Sequence, residues 1–159
     1  MNVQYINPFI KATQSVFSTM LGCQITRNGL SSSGSHPKYD ISGIIGLSGK
    51  AKGTLVLSMS EVAALKAASA LHLEEQTEFN SDVVDAIGEL TNMIAGGAKA
   101  EVAHLKLRIT IPTVIMGKDH VIEFPSNVTP VTINFTSEWG PLAVEFGLIE
   151  VPEETTVSG

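Results

Sequence analysis

Between Ser81 and His104 the apolar positions recur with a helical period, and this is the longest unbroken pattern of the chain. At about 100° per residue, Val83, Val84, Ile87, Leu90, Ile94, Ala98 and Val102 fall on one side. Asp82, Asp85, Glu89, Asn92, Gly96 and Lys99 form a polar stripe on the other. The pattern predicts a long amphipathic helix with its apolar face on a core. Its opposite face is either solvated or a working surface.

The remaining elements follow from the same reading. Asn7 to Leu21 reads as a first helix, with Asn7 as N-cap, Pro8 at the first helical position and Gly22 as its stop. Cys23 to Ser31 is a candidate strand, and Ser31 to Pro37 a polar loop. Two arms, from Tyr39 through Leu47 and from Thr54 to Met59, flank Gly49–Gly53 and predict a hairpin. Ser60 caps a short helix running to about Leu73, with Glu61 in its first turn. Glu74 to Asn80 is an acidic connector. After Leu107 come strands: Arg108 to Met116, interrupted at Pro112 by a bend or an edge; Val121 to Phe124; Val128 to Thr136; and Leu142 to Val151. Helices and strands do not alternate as βαβ units, so the expected class is α+β, with helices against a mostly antiparallel sheet. Residues 1–151 form one expected domain, and Pro152 to Gly159 a flexible tail.

Composition narrows the partners. The 159 residues carry a net charge of −6, with ten Lys and Arg scattered and no run of them. That excludes the basic stripe a nucleic-acid partner requires. Cys23 is the single cysteine, which rules out an internal disulfide and fits a small buried apolar residue. No stretch of 18 apolar residues spans a membrane. Met1 to Gln14 lacks the basic region and apolar run of a signal peptide, so the cytoplasm is the expected location.

Known catalytic patterns are sparse. His36, His72, His104 and His120 have no partners at helical ligand spacing, so no metal site is expected. Gly49-Lys50 and Gly117-Lys118 lack the glycine run of a phosphate loop. No G-x-S-x-G elbow occurs. Glu89 and Asn92 remain, three residues apart, with Cβ atoms about 5–6 Å from each other on a helix. The carboxylate can act as a base or grip a partner's lysine. The amide offers donor and acceptor together, which suits it to holding a water. A solvated helix face would contain the same residues. The glycines at Gly96-Gly97, each costing roughly 1 kcal/mol relative to alanine, mark either a close partner or close packing inside the fold.

GELTNMIAGGAKAEV, with Glu89 to Asn92 as E-L-T-N, resembles the E-x-x-N helix of the CheC/CheX family of chemotaxis phosphatases. The NPFIKATQSVFSTMLG helix, the GIIGLSGKAKGTLVLSMS hairpin and the IPTVIMGKD stretch match in order and spacing, so the resemblance covers about Val3 to Ile149. It implies a CheC/CheX-like fold and a phosphatase acting on the aspartyl phosphate of a CheY-like receiver domain. Asn92 would orient the attacking water and Glu89 would contact the receiver's lysine. Asp85, Met93, Gly96 and Lys99 become candidate flanking contacts. The magnesium ion would belong to the receiver, leaving this chain without a cofactor of its own. The first helix has no Glu followed three later by Asn, which places the chain on the single-site, CheX-like side, where homodimers are expected. The same resemblance admits a non-enzymatic binding module, as in the middle domain of flagellar switch proteins, and a purely structural dimer with a solvated stripe.

Overall fold

The computed structural model describes residues 3–31 and 38–152. A 3-10 turn over Val3–Tyr5 leads into α1 (Ile6–Leu21), followed by β1 (Thr26–Ser31), β2 (Ile41–Ser48), β3 (Ala51–Met59), α2 (Glu61–His72) and α3 (Ser81–Glu101). A second 3-10 turn, Ala103–Leu105, precedes β4 (Arg108–Ile109), β5 (Thr113–Met116), β6 (Val131–Thr136) and β7 (Leu142–Glu150). The strands form a single antiparallel sheet in the order β1-β6-β7-β3-β2-β4, with β5 also paired to β2. All three helices contribute to one core against this sheet, which is the expected α+β architecture.

Alternation along the strands builds that core. Leu142, Val144, Phe146 and Leu148 of β7 and Ile41, Ile45 and Leu47 of β2 are buried beside the helices' apolar faces. Phe9 of α1 stacks on Phe146 with ring centroids 4.0 Å apart. Gly43 of β2 sits directly under α3, where an added Cβ would strike the Thr91 hydroxyl and press on the Ile87 carbonyl. The long helix therefore lies close on the sheet, as its apolar face requires.

Several boundaries differ from the sequence expectation. α1 begins at Ile6, with Tyr5 before it making no side-chain cap. Asn7 is thus inside the helix, and Pro8 is its third residue. The shift is tolerated because the first four N–H groups of a helix have no internal acceptor. Gly22 closes α1 in the left-handed conformation, φ 63°, as expected. The hairpin turn is only Gly49-Lys50, and the second arm starts at Ala51. Gly53 lies inside β3, where a Cβ would collide with the Gly147 carbonyl of β7. Val121 to Phe124 makes one isolated bridge at Val121 and no strand. Instead, Phe124 and Val128 pack over Gly147 on the outer side of the sheet. The strand expected from Val128 starts at Val131, after Pro130. The polar loop beyond Ser31 and the tail from residue 153 lie outside the described residues.

Candidate functional site

α3 is a rigid base for whatever its exposed stripe displays. Asn80 caps it through Oδ1, which accepts the Val83 N–H at 3.0 Å. Val83, Ile87, Leu90 and Ile94 are fully buried. Thr91, also fully buried, donates its hydroxyl to the Ile87 carbonyl at 2.7 Å. The inward face is thus fixed over several turns, and Asp85, Glu89 and Asn92 stand exposed on the other.

Beside this stripe runs a groove of about 610 Å³. One wall is α3, through Val84, Asp85, Gly88, Glu89 and Asn92; the other comes from Ile109 to Pro112 together with Val114. The second wall exists because β4 and β5 are two short strands paired to the same neighbour, β2, with an arch over residues 110–112 between them. Thr110 anchors the arch twice: its N–H donates to the Gly46 carbonyl at 3.0 Å, and its hydroxyl accepts the Gly46 N–H at 2.8 Å. Pro112 comes down over Gly88, whose missing side chain lets the arch lie close; an added Cβ would already touch the proline ring at 3.5 Å. The bend expected at Pro112 is this arch.

Glu89 is reached from a second element as well. His72, the last residue of α2, places Nε2 3.8 Å from Glu89 Oε2, with the glutamate side chain 53% exposed. The carboxylate is therefore within reach of an incoming cation and, among the described residues, accepts no hydrogen bond. Asn92 is uncharged, and its exposed amide offers a hydrogen-bond donor and an acceptor side by side.

The flanking candidates separate. Asp85 shares the groove with Glu89 and Asn92. Met93 is half-buried and packs against the core. Gly96 and Lys99 continue the stripe beyond the groove, Lys99 roughly 10 Å along the axis from Asn92. A Cβ at Gly96 would meet open space, whereas one at Gly97 would lie 3.2 Å from Ala12 of α1. Gly97 thus serves helix packing, and Gly96 leaves the surface low.

Sequence reasoning missed His72, Gly88, Val84 and the arch. Val84 was assigned to the core face, yet it is only partly buried and lines the groove. Pro112 within a β-branched run was the one signal for the arch. Among the described residues no three His, Cys, Asp or Glu side chains group as a metal site, and no helix is long and apolar enough to cross a membrane. A separate cleft of about 490 Å³ on the outer side of the sheet, lined by Phe124, Val128 and Gly147, contains none of the expected site residues.

The sequence model of the chemotaxis phosphatase CheX matches residues 41–136. The CheY-P phosphatase CheX of Thermotoga maritima is 31% identical over 143 residues, spanning 87% of this chain and 92% of that one. The crystal structure of a CheX chemotaxis protein from Desulfovibrio desulfuricans superposes with a TM-score of 0.84 at 28% identity, over 92% of this chain and 100% of that one. CheX in the CheX–CheY–BeF3–Mg complex of Borrelia burgdorferi superposes with a TM-score of 0.80 at 25% identity, covering 94% and 100%.

Proposed function

This chain belongs to the CheX family of chemotaxis phosphatases, and from that premise we propose that it hydrolyses the aspartyl phosphate of a CheY-like receiver domain through Asn92 and Glu89. The observation that carries the reading is the pair itself. A carboxylate and an amide stand one helical turn apart, exposed, on a helix whose other face is locked into the core.

In the reaction, water attacks phosphorus in line with the bond to the receiver's aspartate. The P–O bond to that carboxylate breaks, releasing inorganic phosphate and the free aspartate. The Asn92 amide accepts a hydrogen bond from the water and so fixes its lone pair toward phosphorus. Holding the nucleophile in an attack geometry lowers the entropic part of the barrier. Glu89 pairs with the receiver's lysine and sets the pose of the two domains. The receiver supplies the magnesium ion, which stabilises charge on the phosphoryl oxygens; this chain brings no cofactor of its own. The reading puts the protein in the cytoplasm, as the homodimer implied by the resemblance. Sedimentation velocity tests the dimer.

An intact Glu89 and Asn92 pair favours the enzyme over a binding module, which has no use for a water-orienting amide. The test is the decay of a phosphorylated receiver with and without this protein. Acceleration by the wild type is expected, and Asn92→Ala should lower it by about 10²–10³-fold, the cost of losing one positioned transition-state hydrogen bond. Equal acceleration by Asn92→Ala would sink the assignment.

A further inference from the structure

Two side chains stand out from the apolar surface. Leu73 is 92% exposed and Ile111 is 89% exposed, while the next most exposed large apolar residue among those described, Val62, is at 59%. They sit on the two segments that flank Glu89. Leu73 directly follows His72, which lies against Glu89. Ile111 is the crown of the arch that walls the groove opposite Glu89 and Asn92.

Neither is a loosely hung loop residue. Ile111 lies between Thr110, doubly bonded to Gly46, and Pro112, seated over Gly88. The proline also confines Ile111 to extended backbone. Leu73 is the C-cap of α2 with φ 54° and ψ 35°, and its N–H donates to the Ser69 carbonyl. A side chain in this left-handed conformation clashes with its own backbone, which is why glycine is the usual occupant. Of the described non-glycine residues with positive φ, Leu73, Lys106 and Asp119, Leu73 is the apolar one. Here strain is kept for a side chain that is almost wholly in water. Strain retained without a folded-state contact points to a contact made elsewhere.

Resting on the receiver-phosphatase reading, we propose that Leu73 and Ile111 are apolar anchors for the receiver domain, gripping it beside Glu89 and Asn92. The receiver is the occupant because of footprint. A specific interface covers about 800 Å² on each partner, a patch roughly 30 Å across. Centred on Asn92, such a patch takes in the arch across the groove and the end of α2 that touches Glu89. Anchors of this kind bind the receiver equally before and during phosphoryl transfer. They therefore set affinity and partner choice, and they leave the chemical step to Asn92.

The test is steady-state dephosphorylation of a phosphorylated receiver by wild type, Leu73→Gly and Ile111→Ser, together with thermal melting. Burying one such side chain is worth a factor of roughly 10–100 in affinity. Each variant should therefore raise KM about tenfold or more, with kcat within about twofold of wild type. Leu73→Gly should melt no lower than wild type, because glycine relieves the left-handed strain. That keeps a KM change in this variant from being a folding defect. An unchanged KM in both variants, or a fall in kcat at constant KM, overturns the proposal. Titration calorimetry with a beryllofluoride-loaded receiver separates this from the wider reading. If wild type binds but does not accelerate hydrolysis, the phosphatase assignment fails and a weaker affinity of both variants still upholds the anchors. No binding by wild type overturns the anchors as well.

Discussion

His72 Nε2 lies 3.8 Å from Glu89 Oε2, joining the end of α2 to the carboxylate assigned to the receiver's lysine. The imidazole edge stands on the same carboxylate the lysine needs, so the two compete for it. A half-exposed pair of this kind is worth up to about 1 kcal/mol, a factor of about five in affinity. His72→Ala is expected to tighten receiver binding by up to that factor. Calorimetry on the two proteins, repeated in high salt to screen the pair, checks it. A His72→Ala variant that binds the receiver no tighter than wild type contradicts the competition.

Glu89 and Asn92 should fail in different ways. If Glu89 acts by gripping a lysine, Glu89→Ala weakens receiver binding as well as rate. Glu89→Gln, which keeps shape and hydrogen-bonding capacity but loses charge, should fall between. Loss of a charge-assisted hydrogen bond is worth roughly 1.5–3 kcal/mol, about 10- to 150-fold in affinity. Asn92→Ala should leave affinity close to wild type while rate collapses. Binding and single-turnover measurements on the same variants separate the two roles, and a Glu89→Ala variant with full affinity would contradict the lysine grip.

The contrast between these residues and their surroundings shows what the sequence could reveal. The stripe containing Asp85, Glu89 and Asn92 was legible because it is a property of one helix, and a 3.6-residue period repeats along the chain itself. Its chemical meaning came from the family resemblance, since a carboxylate and an amide at that spacing also suit a solvated face. The groove was not legible. It depends on β4 and β5 sharing one neighbour, with Leu47 opposite Ile109 and Gly43 opposite Val114, and register across distant segments leaves no local mark. Val84 illustrates the limit: periodicity gave it an inward face, but at that point the sheet edge gives way to the groove. Asn7 illustrates another, because several residue types can precede a helix whose first N–H groups are free in any case.

Two buried acids of the ordinary neutral kind make the fold sensitive to alkali. Burial pushes the Cys23 thiol above its usual 9.0, reinforced by the negative charge of Glu138. Burial likewise pushes the Tyr5 phenol above 10.0, with its hydrogen bond to Glu150 adding to the effect. Both folded values are raised, so the stability they contribute is fully present below 9.0 and 10.0 and is lost as pH rises through the folded values. Urea melts from pH 7 to 11 should show constant stability to about pH 9 and a decline beyond it. A companion measurement is thiol labelling. Cys23 is wholly buried, so it should react slowly in the native protein and rapidly in urea. Fast native labelling at pH 8 would contradict the burial.

The outer side of the sheet carries a charge pair with no place in the proposed chemistry. Lys38 Nζ lies 2.8 Å from Glu145 Oε1, with side-chain exposures of 5% and 2%, and Thr132 donates its hydroxyl to Oε2 at 2.7 Å. Among the described residues Oε1 accepts no hydrogen bond, so attraction between the charges holds the contact. Desolvating two charges costs several kcal/mol each, and their mutual attraction only about offsets this. Removing one partner is therefore far more harmful than removing both. Lys38→Met should destabilise by about 3–5 kcal/mol, because the Glu145 carboxylate is left buried without its cation. Lys38→Met with Glu145→Leu should cost much less or nothing. Chemical denaturation of the single and double variants gives the coupling directly. If the double variant were no more stable than Lys38→Met, the loss would come from packing around Lys38 and not from the uncompensated carboxylate. Because both residues lie on the opposite side of the sheet from α3, phosphatase activity in the double variant should follow the folded fraction alone.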